Sequence, residues 1–126
     1  MTDETSADDI ARAAKIVDTS QPLTFVAIVD YRDCYRRGSD EDALLLVPGL
    51  WSGMPAELLE ATRARRRCSA TGRCPECGAA ANLAEAAIDH EPDCPINSEN
   101  YEPMLDRWTS KVGHFARGRR LREDPS

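Results

Sequence analysis

Residues 74–77 read Cys-Pro-Glu-Cys and residues 90–94 read His-Glu-Pro-Asp-Cys, and together they decide how this chain is organised. Four side chains that can bind a metal are spaced as C-x2-C-x12-H-x3-C. Structural zinc sites take four thiolate or imidazole donors, whereas a catalytic zinc keeps one position open for water. The spacing therefore predicts a closed, structural Zn²⁺ site with the ligands Cys74, Cys77, His90 and Cys94.

The remaining cysteines and the second histidine compete weakly for roles at this site. Cys68 lies six residues before Cys74 and could replace one ligand, first of all His90. Cys34 falls in an apolar stretch, where a reduced cysteine usually behaves as a small buried hydrophobe. His114 has no second ligand close to it in the sequence and is expected to be a surface or partly packed histidine.

Neither DNA reading nor catalysis fits the interior of this segment. C2H2-type fingers carry an aromatic and a leucine where this chain has Ala81 and Ala87, and residues 82–89 offer only Asn82 to base edges. Four protein ligands leave no place for a catalytic water. Zinc deaminases place His and Glu before Pro-Cys-x-x-Cys, and a thioredoxin-like site needs a βαβ context that is missing here. We therefore expect no enzyme, and a metal or thiol redox enzyme is an unfavoured alternative.

Residues 20–38 carry conflicting signals for secondary structure. Ser20 and Pro22 suit the start of a helix, and Gly38 suits its end. Residues 24–29, Thr-Phe-Val-Ala-Ile-Val, are instead rich in β-formers. The complete set of start and stop signals favours a helix, with a strand at 24–29 as the alternative.

Helical periodicity recurs along the rest of the chain. It predicts helices at 9–18, from Ser39 through Val47, at 56–67 and at 101–116. The predicted fold is therefore mainly α, a small helical domain with an inserted CCHC zinc knuckle or short ribbon. The expected segments are an N-terminal tail and short helix (1–20), a helical region (21–67), a zinc-binding knuckle (68–98) and a C-terminal helix with a basic tail (99–126).

Charge alternates along a chain whose net charge is −6. Residues 63–73 carry five Arg and no acid, residues 76–106 carry eight acids and no base, and residues 107–122 carry six bases and no acid. Sequence-independent affinity for nucleic acid comes from neutralising phosphates, so the negative total favours basic segments that lie against acidic ones. The alternative is a nucleic-acid-associated transcriptional regulator that uses Arg63–Arg73 and Arg117–Arg122 as phosphate contacts.

The expected compartment is the cytoplasm. No apolar run reaches the ~18 residues that a membrane span needs, and the acidic first residues do not resemble a signal peptide. The five cysteines should then stay reduced, which favours metal ligation over disulfides. Arg outnumbers Lys fourteen to two, and both Arg and the abundant Ala have GC-rich codons, so a high-GC bacterial or phage genome is expected.

The metal segment resembles a group of small zinc-binding proteins of high-GC Gram-positive bacteria, their phages and integrated elements. The resemblance rests on residues 72–79, Gly-Arg-Cys-Pro-Glu-Cys-Gly-Ala, and on His-Glu-Pro-Asp-Cys-Pro at 90–95. The shared pattern is C-P-x-C-G, a variable excursion and H-x3-C-P, and it covers about 25 residues. It implies the same four metal ligands and carries no implication for residues 1–67.

These observations predict a non-enzymatic zinc-binding protein whose partner is another protein. Trp51 and Trp108 are the candidate anchors for that partner, because aromatic and Arg side chains dominate interface energetics. The competing interpretation is that both tryptophans belong to the core. The sequence predicts no membrane partner and leaves the oligomeric state open.

Overall fold

The computed structural model describes residues 7–82, 87–112 and 117–125. These residues form three helices and three small antiparallel sheets. No helix within the described ranges is long and apolar enough to cross a membrane. The elements in chain order are α1 (Ala7–Ile16), β1 (Leu23–Val29), β2 (Arg32–Arg37), β3 (Leu44–Pro48), β4 (Leu50–Trp51), α2 (Ala56–Thr71), β5 (Ala81–Asn82), β6 (Ala87–Ile88), α3 (Ser98–Val112) and β7 (Arg120–Leu121).

The largest sheet is an antiparallel meander of β1, β2 and β3. Only Asp30 and Tyr31 separate β1 from β2, and both have positive φ, 51° and 65°. Positive φ at both central residues is the signature of a type I′ hairpin turn, whose twist matches that of the strands. The register then pairs Tyr35 with Phe25 on one side and with Leu45 on the other.

The prediction of a mainly α fold is wrong, because the chain is mixed α/β. Ser20 and Gly38, which suggested the two ends of a helix, form turns instead. The backbone N–H and hydroxyl of Ser20 both donate to the carboxylate of Asp18, and Gly38 takes a left-handed conformation and donates its N–H to the carbonyl of Pro22 at 2.7 Å. The β-formers at 24–29 therefore pair as a strand, which was the alternative.

The helix predicted from Ser39 through Val47 is also replaced, by a turn and β3. The acidic residues that suggested a helical first turn close a tight loop, in which the N–H of Asp42 donates to the side chain of Asp40 at 2.9 Å. Leu45 and Val47 are buried while Leu44 and Leu46 are exposed. Alternate burial is expected of a strand that has one face covered. The sequence does not show this period of two, because buried and exposed positions here are both leucines.

The helices predicted at 9–18, 56–67 and 101–116 correspond to α1, α2 and α3, with shifted ends for α1 and α2 and an earlier start for α3. Residues 113–116 of the last prediction lie outside the described residues. The longest, α2, covers the inner face of the sheet with Ala70, which packs against Tyr35 and Val47. Its other buried face meets α3, where the hydroxyls of Thr62 and Tyr101 lie 3.0 Å apart. Gly72 ends the helix in a left-handed conformation with φ of 73°, the usual C-terminal stop.

A buried ion network joins the sheet, α2 and the C-terminal segment. Asp33 and Arg66 each expose only 1% of their side chains, and an Nη of Arg66 donates to the Asp33 carboxylate at 2.7 Å. The Nε of Arg120 donates to the other oxygen of Asp33 at 2.6 Å. Next to this contact, β7 pairs antiparallel with β4. The end of the described chain is thus built into the core.

Candidate metal centre

The first ligand pair lies on a turn directly after α2. The N–H of Gly78 donates to the carbonyl of Cys74 at 3.0 Å, and the N–H of Cys74 donates to the carbonyl of Ala79 at 2.8 Å. Gly78 adopts φ of 77°, which an L side chain resists. Within this turn the N–H groups of Glu76 and Cys77 point at the sulfur of Cys74, at 3.4 and 3.5 Å. The turn thus directs two backbone donors at the sulfur of Cys74.

The second pair is held by the start of α3. The Nδ2 of Asn97 donates to the carbonyls of Glu91 and Pro92 at 3.1 and 3.0 Å. The Nδ2 of Asn100 donates to the carbonyl of Cys94 at 2.8 Å. Two asparagine side chains therefore fix the backbone that carries the last ligand. Between the pairs, the short ribbon of β5 and β6 brings the chain back, and residues 83–86 lie outside the described residues.

The structure brings Cys74, Cys77, His90 and Cys94 together, with one ligand atom from each and all four atoms within 4.8 Å of one another. The sulfurs of Cys74 and Cys94 are 3.6 Å apart. The Nδ1 of His90 lies 3.7 Å from the sulfurs of both Cys77 and Cys94. Zn–S bonds of about 2.3 Å and Zn–N bonds of about 2.0 Å, arranged tetrahedrally, require separations of about 3.5–3.8 Å between ligand atoms. The cluster therefore has the dimensions that a tetrahedral metal needs.

The surroundings shift the pKa values of the ligand thiols Cys77 and Cys94 in opposite directions. Hydrogen bonds from the backbone of Glu91 and Ala79 lower the pKa of Cys77 to about 6. Burial raises the pKa of Cys94 to about 11. A bound cation would reverse the second effect, since a coordinated thiol is deprotonated outright. One thiolate is thus prepared by the fold, and the buried one needs the metal to ionise.

Cys68 lies behind His90 and outside the cluster of four. Its sulfur is buried and lies 3.9 Å from Nε2 of His90, whereas Nδ1 of the same ring faces the sulfurs of Cys77 and Cys94. Burial raises the pKa of Cys68 to about 12, so it is a neutral thiol. It therefore does not take the place of His90, and the geometry instead suits a weak acceptor for the Nε2–H of an imidazole that coordinates through Nδ1.

The basic segments are largely occupied by contacts within the protein. Arg63 bonds both Glu60 and Glu123, and Arg66 is buried against Asp33. Arg65 donates to the carbonyl of Ile96 at 2.9 Å, just after the metal segment. Arg63 and Arg66 therefore lie against acidic residues, although none of these acids belongs to the acidic segment 76–106. Arg73, at the end of the first basic segment, is exposed and reaches the carbonyl of Gly78 at 3.4 Å.

The other residues singled out in the sequence have structural surroundings or lie outside the description. Cys34 is buried in β2. Trp108 is buried in the core of the helices and donates its indole N–H to the carbonyl of Gly53 at 3.2 Å, while Trp51 is half-buried beside it. His114 lies outside the described residues.

Sequence reasoning missed the asparagines that support the ligand loop and the acid that neutralises Arg66. Asn97 had a usable signal, because it lies three residues after the last ligand and directly before α3, where an Asn commonly bonds nearby backbone groups. Asn100 lies in the first turn of α3. Asp33 had none, because its partners lie 33 and 87 positions away.

Comparison with known proteins found no matching family model, no similar curated protein and no similar solved structure. The resemblance of the metal segment to small bacterial and phage zinc proteins therefore extends no further than the cluster itself. What stands on the structure alone is a set of three cysteines and one histidine that is fit to hold a metal ion.

Proposed function

We propose that this chain is a small, non-enzymatic, cytoplasmic zinc-binding protein that acts by binding another protein. The observation that carries the proposal is an apolar sheet face that no helix among the described residues covers. Val29, Leu44 and Leu46 expose 44%, 46% and 46% of their surface. A sheet with one face packed normally has polar side chains on the other, so an apolar outer face indicates a contact surface.

The register defines the outer sheet face. Leu44 stands opposite Arg36, Leu46 opposite Cys34, and Val29 opposite Arg32. The patch is thus apolar with arginines among the leucines, a combination found at protein interfaces. A partner of matching chemistry offers an apolar surface with acidic side chains beside it. The proposal places the contact on the sheet and not on the tryptophans, because Trp108 is buried and Trp51 is half-buried against the core of the helices.

Zinc fits the donor set, and its part in this proposal is structural. Three sulfurs and one imidazole nitrogen are soft or borderline ligands, which select zinc over magnesium or calcium. The four ligands fill a tetrahedron and leave no position for a reacting water. They also join the segment after α2 to the segment before α3, so the ion would fix these two helices relative to each other. The enzyme alternative needs an open coordination position and is not favoured by this donor set.

The nucleic-acid alternative rests on the two basic segments, and their contacts disfavour it. Three of the guanidinium groups it requires, those of Arg63, Arg66 and Arg120, are paired with carboxylates inside the protein. Each arginine already paired in this way contributes little to phosphate neutralisation, which is the source of non-specific affinity.

Affinity capture from lysate of the source cells tests the proposal. The bait is the zinc-loaded protein, compared with the double variant Leu44→Ser, Leu46→Ser and with a control, Glu57→Ser, which changes an exposed residue of α2. A protein partner that is retained by the control and lost by the double variant is the expected result. Circular dichroism of all three baits must be the same.

Two outcomes contradict the proposal. A partner retained equally by all three baits would place the contact elsewhere. Binding to random duplex DNA that falls steeply between about 50 and 200 mM salt would support the nucleic-acid alternative in its place.

A further inference from the structure

A solvent-open cleft lies between β3, an edge strand of the sheet, and α3. Its volume is about 350 Å³, within the range of ~300–1,000 Å³ that small-molecule sites occupy. One wall is aromatic: Tyr31 and Trp51 meet edge to face with their ring centres 6.0 Å apart. Tyr101 of α3 lines the opposite side. The cleft is thus large enough for a small organic molecule and has flat surfaces to hold one.

The charge of the cleft is opposite to that of the protein. Arg32, Arg65 and Arg117 line it together with a single carboxylate, Glu102. The chain as a whole carries a net charge of −6. Three guanidinium groups against one acid, concentrated in one concavity of an acidic protein, make a local field that attracts anions.

Arg117 is held by stacking contacts, and its Nε has no hydrogen-bond acceptor among the residues that the structure describes. Its guanidinium lies 4.5 Å from the ring centre of Tyr31 and 5.4 Å from that of Trp108. These stacking contacts fix the plane of the group. Its Nε is shielded from solvent and, among the described residues, has no hydrogen-bond partner. A buried donor left unpaired costs free energy, which an acceptor bound in the cleft would recover.

Arg65 is oriented by contacts that hold it in the cleft wall. One Nη donates to the carbonyl of Ile96 at 2.9 Å, and the guanidinium stacks over Tyr101 at 4.8 Å. Arg32 is exposed at the start of β2. Two arginines are therefore fixed by aromatic rings, and the third can adapt to what is bound.

We propose that this cleft binds a small organic oxyanion, with its carboxylate or phosphate on the arginines and a planar apolar group against Tyr31 and Trp51. Guanidinium groups match both oxyanions, because both present two acceptor oxygens to the N–H fork. The aromatic wall selects a ligand with a flat apolar part over a bare inorganic ion. This site contains none of the metal ligands, and it adjoins the outer sheet face proposed as a protein contact, with which it shares Arg32 and Leu46.

Tryptophan fluorescence tests the proposal directly, because the chain has two tryptophans and both lie at this cleft, Trp51 in its wall and Trp108 against Arg117. The zinc-loaded protein is titrated with phenyl phosphate, benzoate, benzyl alcohol and inorganic phosphate. We expect a saturable change with one or both aromatic anions, and at least tenfold weaker binding of the neutral alcohol and of inorganic phosphate. The tighter of the two aromatic anions identifies the head group.

Variants locate the binding. Arg117→Gln and Arg32→Gln should each weaken the preferred aromatic anion at least tenfold, and Arg117→Lys should weaken it less than Arg117→Gln. Arg119→Gln is the matched control, because Arg119 is exposed and its side chain does not line the cleft. Arg32→Gln keeps the test decisive if loss of the stacked Arg117 impairs folding. No saturable binding of either aromatic anion, equal binding of the alcohol, or binding unchanged in both glutamine variants would overturn the proposal.

Discussion

Replacing Asp33 with Asn should remove a large part of the protein's stability. The carboxylate is buried and accepts hydrogen bonds from Arg66 at 2.7 Å and from Arg120 at 2.6 Å. Asparagine keeps the shape of the side chain but loses the negative charge. Its amide NH2 would also face the N–H donors of either Arg66 or Arg120, where the carboxylate had an acceptor. Arg66, with 1% of its side chain exposed, then remains charged and uncompensated. Breaking a buried ion pair on one side costs about 3–5 kcal/mol, against a typical total of about 5–15 kcal/mol.

Urea unfolding at saturating zinc measures this loss. With a slope of about 2 kcal/mol per molar urea, a loss of about 4 kcal/mol lowers the midpoint by about 2 M. The control is Asp30→Asn, the same chemical change at an exposed turn residue. Its φ of 51° is a conformation that Asn also tolerates. A loss below about 1 kcal/mol in Asp33→Asn, or an equal loss in the control, would show that the buried network contributes little.

Three further substitutions or treatments follow from the structure. Cys68→Ala should still bind one zinc per chain, but competition with a chromophoric chelator should show a zinc affinity about 10–100-fold weaker. Cys68→Ser should recover part of that loss. Equal zinc affinity in both variants and the unchanged protein would contradict a supporting contact between Cys68 and His90. In metal-free protein, iodoacetamide should modify Cys77 before Cys94. The rate at Cys77 should rise from pH 5 to 7 because its pKa is about 6, whereas the reaction of Cys94 should stay slow because its pKa is about 11. Equal modification rates at pH 7, measured by peptide mass spectrometry, would refute this order. Gly49→Ala places a Cβ 2.5 Å from the carbonyl oxygen of Tyr31, so we expect about 1–3 kcal/mol of destabilisation, and an unchanged urea midpoint would contradict it.

The metal ligands could be predicted because their pattern is local. Each pair, Cys74 with Cys77 and His90 with Cys94, lies within one turn of backbone, and the distance between pairs is set by a short ribbon. The same holds for α2 and α3, whose apolar periodicity is contained within each helix. Local patterns are read from sequence because their physical causes act over a few residues.

The sheet was missed because its signals depend on distant partners. Ser20, Gly38 and the acids at 40–42 have the chemistry of helix ends, and the same groups also close turns. What decides between the two is the cover that α2 gives to Tyr35 and Val47. That contact spans much of the chain, and no window of sequence contains it. The cleft and the ion network could not be predicted from the sequence for the same reason.

The attachment of Arg120 to Asp33 has a consequence for the protein during its synthesis. The two residues are 87 positions apart, and at about 5–20 residues per second a ribosome needs about 4 to 17 s to add the second after the first. Throughout that interval the nascent meander carries an acid that lacks at least one of its two cationic neighbours, because Arg66 follows Asp33 by 33 positions and Arg120 by 87. The sheet is therefore expected to stay loosely formed on the ribosome and to reach its final stability only when the last strand has emerged.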